Sequence, residues 1–173
     1  MNEPTTATRT RRWSSTSHLA GVVSLCVAGI LPFASALPAG ATTPSVASGD
    51  FTFTSDNQTP TRFAGKNVVI SETSQLAYTG DLSGVATDVD SFVAHSDGSF
   101  EGHGVEVCDP CTLWGRTGAF ISSFTFRGSG DSYVGQQTVL KATGGLTGLH
   151  GTGTFQGLIA ENTNSYSYKL QFN

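Results

Sequence analysis

Glu72 is the residue whose type and position in this 173-residue chain could do chemistry most directly. It stands in the run from Asn67 to Thr79, where Val68, Ile70, Leu76 and Tyr78 recur at even positions and share one face of a strand. Strict alternation then carries Glu72 and Ser74 to that same face. A carboxyl group among aliphatic neighbours is disfavoured in its charged form, so its pKa rises and it can donate a proton or anchor the polar end of a ligand. By the same reasoning Val85, Thr87, Val89, Ser91 and Val93 bring His95 to the inner face near a strand end. With Tyr78, Phe120, Phe124, Phe155 and Tyr168 as walls, these two groups form a polar spot in an apolar pocket. The plainer reading stays beside it: a single bulge returns Glu72 to solvent, or Glu72 makes an ordinary structural hydrogen bond near a barrel mouth.

Other reactive residue types give less. Cys108 and Cys111 flank Asp109-Pro110, and in an exported chain such a pair is expected to form a disulfide pinning a hairpin loop. Thioredoxin-type redox chemistry needs a βαβ setting that is missing here. His103 with the two cysteines offers soft metal ligands but no fourth, so no metal is expected. The glycine-rich segment over residues 144–157 has neither dinucleotide-loop spacing nor a following Lys-Ser/Thr, and no cofactor is implied. No Gly-x-Ser-x-Gly elbow occurs, and no triad order can be assembled from the Ser and His residues. No catalytic motif is present.

The elements that must position these residues are strands. Beyond residue 50 glycine recurs every few positions, with Thr, Ser, Val and Phe between, and no amphipathic helix is found. Strands are predicted around Phe51-Thr52-Phe53, over residues 67–79, and from Val85 to Val93, with a turn at residues 80–84. Asp97-Gly98 is a hairpin turn of the strongest short type, and residues 99–107 return from it. Residues 118–128 carry Phe120, Phe124 and Phe126 on one side, and residues 133–143 pair back. A tight glycine turn leads into the strand of Phe155, and Tyr166, Tyr168, Leu170 and Phe172 share a face of the last strand. Eight such strands close most naturally into an all-β, antiparallel, up-and-down barrel over residues 50–173, because closure removes exposed edges.

Residues 1–41 read as an export signal: Arg9, Arg11 and Arg12 form a basic head, residues 19–33 are apolar, and Ala34-Ser35-Ala36 and Ala39-Gly40-Ala41 are cleavage patterns. The apolar run is shorter than the ~20 residues of a spanning helix, so no membrane span is expected after processing. Residues 42–49, rich in Thr, Ser, Pro and Ala, read as a flexible lead-in. Past residue 41, six basic and twelve acidic residues give a net charge of −6. No basic stripe interleaved with aromatics remains, and nucleic acid is excluded as a partner. The expected location is the medium or the cell envelope.

The segments Tyr78-Thr79-Gly80-Asp81-Leu82-Ser83-Gly84, Asp97-Gly98, residues 144–155 and Tyr166-Ser167-Tyr168-Lys169-Leu170 resemble the bacterial domain-of-unknown-function family 3224. Its members look like the allene oxide cyclase barrel and, more distantly, dirigent proteins. The resemblance implies a barrel able to hold a small, largely apolar molecule, and it supplies no activity and no catalytic residue. Three function classes follow. The first is non-catalytic binding of a small apolar or amphiphilic molecule, or a plain scaffold with a filled interior. The second is a cofactor-free isomerase or cyclase acting on a hydrophobic substrate. The third is a homo-oligomer assembled through the barrel wall.

Overall fold

Period-two alternation and positive-φ turns account for the architecture in a computed structural model that describes residues 43–173. The expected export signal over residues 1–41 lies outside the described residues. Eight strands follow one another: β1 (Ser45–Ala64), β2 (Asn67–Gly80), β3 (Leu82–Ala94), β4 (Ser99–Leu113), β5 (Arg116–Ser129), β6 (Ser132–Gly144), β7 (Leu149–Leu158) and β8 (Thr163–Phe172). Each pairs antiparallel with the next, and β8 returns to β1 so that the ring closes. Two turns show why the hairpins form where they do. Gly98 adopts φ 85° while the Asp97 carboxylate accepts bonds from the Ser99 amide and hydroxyl, and Trp114-Gly115 place two successive residues at positive φ.

The meander fixes two unlike rims. Hairpins β1–β2, β3–β4, β5–β6 and β7–β8 lie at one end, the upper rim. At the lower rim lie the remaining turns, the start of β1 and the end of β8. The lower half is filled solid: Leu82, Leu113, Phe120, Leu149 and Leu170 are all buried, and Leu146 from the β6–β7 connection plugs the end at 0 % exposure. Tyr166 of β8 ties the β2–β3 turn across the lower end, its hydroxyl accepting the Leu82 amide at 2.8 Å.

Three expectations need correction. Residues 45–49 are no flexible lead-in, because they begin β1 and pair with β8 from Ser45↔Leu170 to Gly49↔Tyr166. Small side chains suit this seam: Ala47 is fully buried, and a Cβ at Gly49 would lie 2.7 Å from the Tyr166 hydroxyl. Second, the inner face of β3 is the opposite of the one expected. Val85 and Val89 are 53 % and 57 % exposed, while Leu82, Ala86 and Asp88 are buried. The register Leu76↔Ala86 and Ser74↔Asp88 imposes this, since the β2 face is already set by Leu76 and Tyr78. Third, Cys108 and Cys111 lie within β4, at a register shift opposite β5, and not in a hairpin loop. Their Cα atoms are 5.6 Å apart, within disulfide range, and both side chains are buried.

Candidate functional site: an acid-lined cavity in the upper barrel

Above the packed half the barrel encloses a cavity of about 600 Å³ that opens at the upper rim. Its walls are phenyl rings from five strands, among them Phe53, Phe92, Phe100, Phe124, Phe126 and Phe155. Inward glycines on neighbouring strands give these rings their seats. A Cβ at Gly102 would lie 2.6 Å from the tip of Phe126, and one at Gly135 would lie 2.1 Å from the tip of Phe155, so each ring lies across bare backbone.

The floor is a hydrogen-bonded set of polar side chains. Glu106 of β4 accepts the Tyr78 hydroxyl at 2.7 Å and the Gln137 amide at 2.8 Å. Gln137 also donates to Ser122 at 2.6 Å and accepts the Tyr168 hydroxyl, which lies 3.1 Å from the Tyr78 hydroxyl. Cross-strand register stacks the acids above this floor: Asp88 is paired with both Ser74 and Glu106, and Glu72 with Asp90 and Gln58. Gln58 donates to Glu72 at 3.0 Å and to Asp56 at 3.1 Å, which extends the polar stripe to the rim.

Five carboxyl groups therefore line the cavity, from Asp56, Glu72, Asp88, Asp90 and Glu106, and no Lys, Arg or His side chain does so among the described residues. The electrostatics follow. Burial, then the charges of Asp90 and Asp56, raise Glu72 to about 7. Burial and Asp56 raise Asp90 to about 6. Asp88 and Glu106 are both pushed up by burial. Asp88 is raised further by the Glu106 charge and by its hydrogen bond to that carboxyl, whereas the donors Tyr78 and Gln137 pull Glu106 partly back. The pair thus holds a proton at neutral pH. Three oxygens in this region have no partner: Ser74 Oγ, Asp88 Oδ1 and Asp90 Oδ1.

Of the residues singled out in the sequence, Glu72, Tyr78, Phe124, Phe155 and Tyr168 line this one cavity. Phe120 points inward but lies lower, in the packed half against Leu82 and Leu149. His95 is not in the site. It sits outside the ring at the start of the β3–β4 hairpin, 4.0 Å from Glu101, because β3 presents its even-numbered residues inward. The expected partner of Glu72 is instead Asp90, with Asp88 and Glu106 below. Sequence reasoning missed these three. The signal for Glu106 is the even spacing of Phe100, Glu106 and Cys108, against which Val105 and Val107 compete on the odd face; both prove 42 % exposed. His103 is exposed on the outer wall, away from the inward cysteines, and among the described residues no three metal-ligating side chains are grouped to hold an ion.

A scan against protein-family models gives no match. A search of curated proteins gives none either. Among solved structures, the chain is similar to a crystal structure of a protein with unknown function from the DUF3224 family of Shewanella oneidensis MR-1. The two share 19 % identity at a TM-score of 0.61 over 75 % of this chain and 98 % of that one. At that identity the likeness is one of fold, and it falls on a member of the family that the sequence motifs resemble.

Proposed function

We propose that this chain is an exported barrel that binds a small, largely apolar or amphiphilic molecule in its upper half. One observation carries the reading: the lower half is packed to its centre, while the upper half keeps a space of about 600 Å³ behind a ring of phenyl groups. Sites for small molecules have this size and this lining, with a few polar groups to fix orientation. A barrel serving only as a scaffold has no use for a half-empty interior, since unfilled apolar space forfeits packing energy. The basic head and apolar run of residues 1–41 support export.

A second reading, a cofactor-free isomerase or cyclase, draws on a different observation. Asp88 and Glu106 keep a proton between them at neutral pH, and both line the cavity, which places a carboxylic acid beside any molecule bound there. Loss of turnover in Asp88→Asn with uptake of a neutral dye retained separates the two readings, because the substitution removes the acid and leaves the apolar wall intact.

Binding is tested by titrating the full chain with the neutral, environment-sensitive dye N-phenyl-1-naphthylamine. The expected result is saturable one-to-one uptake that Ala94→Trp, which fills the upper cavity, abolishes. Absence of uptake by a folded protein overturns the reading.

A further inference from the structure

We infer that the cavity selects an organic cation, a primary amine whose ammonium group seats against the inner faces of β2 and β3 while its hydrocarbon body lies among the phenyl rings. The inference rests on the binding reading above and adds the chemical class of the ligand.

Three independent features point to it. The first is the seat itself. Ser74 and Asp88 are 1 % and 8 % exposed, and each carries an oxygen with no partner, as Asp90 does. Ser74 and Asp88 face each other across the β2–β3 ladder, and Asp90 follows two residues later on the same face. Cross-strand side chains stand about 5 Å apart and same-face neighbours about 7 Å apart, so the three oxygens frame one small patch. A primary ammonium brings three N–H donors to such a patch and no acceptor. A buried oxygen without a partner is costly, and a ligand that satisfies three at once recovers that cost.

The second feature is the sign of the wall. Among the described residues five carboxyls and no cation face the cavity, so an anionic amphiphile would set its head group against like charge, whereas an ammonium meets opposite charge in a poorly hydrated site. The third is the ring of phenyl groups. Phe92, Phe124 and Phe126 extend from the level of Asp90 toward the rim and offer π faces to a cation and apolar surface to an alkyl chain. A metal ion is a poor alternative, because the described acids are not grouped as a ligand set.

The raised pKa values add a consequence. The groups facing the ammonium are Asp56 on β1, Glu72 and Tyr78 on β2, Asp88 and Asp90 on β3, Glu106 on β4, Tyr133 on β6 and Tyr168 on β8. An entering cation favours the ionised carboxylates, so binding near neutral pH expels protons, and affinity rises as pH rises from about 5 to about 8.

Calorimetry on the full chain tests this with three ligands of matched length: octylammonium, 1-octanol and octanoate. Octylammonium is expected to bind at least about tenfold more tightly than octanol, and octanoate more weakly than either. Repeating the titration near pH 7 in buffers of different ionisation enthalpy is expected to show proton release with octylammonium and none with octanol. Asp90→Asn is expected to weaken octylammonium by about tenfold and leave octanol unchanged. Asp88→Asn, checked for folding by circular dichroism, is expected to do the same. Octanol binding as tightly as octylammonium, or octylammonium binding without proton release, overturns the cation inference and leaves the cavity reading standing. Failure of all three ligands to bind overturns both.

Discussion

Raising the pH should destabilise the ligand-free protein, and the structure says by how much. The Asp88–Glu106 pair is deeply buried and retains a proton that the unfolded chain, with ordinary carboxyl groups, releases near pH 4. A group whose folded pKa is raised contributes stability below its unfolded pKa and loses it as pH climbs through the folded value. The one proton held across the whole window gives a slope of about 1.4 kcal/mol per pH unit, hence at least about 3 kcal/mol lost between pH 5 and pH 7, before the second proton that Glu106 takes up below about 7 is counted. For a domain of this size that corresponds to a fall in Tm of roughly 10 °C. Glu72 and Asp90 shift in the same direction, but they stand partly in solvent near the rim and are left out of the sum. Differential scanning calorimetry of the full chain at constant ionic strength, in steps from pH 5 to pH 8, reads the slope directly. The double variant Asp88→Asn/Glu106→Gln should flatten most of it. A wild-type Tm that is level or rises over this window refutes the shared buried proton and, with it, the account of the cavity floor.

Three further outcomes follow from individual contacts. Tyr78→Phe removes a donor from buried Glu106 and should cost about 1–3 kcal/mol at neutral pH, with much of the loss recovered near pH 5, where Glu106 is neutral; urea titration at the two pH values checks it. Gly135→Ala places a methyl group where the Phe155 ring now lies, so the ring must swing into the cavity; dye uptake should fall while the protein stays folded by circular dichroism. Reduction of Cys108 and Cys111 should change the intact mass after alkylation, and opening so short a loop should cost about 2 kcal/mol in urea unfolding.

Strand number, order and closure were legible because turn residues punctuate the chain at nearly every hairpin and because β2 and β8 each carry aromatic or aliphatic groups at strict alternate positions. That pattern set Glu72, Tyr78 and Tyr168 on the inner face. It failed on β3, where the two faces compete: valines occupy the odd positions, and the even positions hold Asp88 and Asp90. Apolar content alone picks the odd set, yet the ladder to β2 decides otherwise, and exposed valines are tolerated on a surface that is largely apolar in any case. The acids lie inward because a cavity and one another's protons make that bearable, which no local pattern records. The start of β1 was hidden for a different reason. Ser45, Ala47 and Gly49 resemble linker composition, and their contribution to the closing seam is made by backbone hydrogen bonds and by the room that small side chains leave for Tyr166 and Tyr168.

The central claim is that the upper half of the ring receives a molecule and the lower half does not. Intermolecular nuclear Overhauser effects from bound N-phenyl-1-naphthylamine to assigned aromatic protons locate it directly. Contacts to Phe92, Phe124 and Phe155, with none to Phe120 or Phe172, are the predicted result. Contacts to the outer-wall residues Val85 and Val89 instead, or to no ring of the interior, would contradict it.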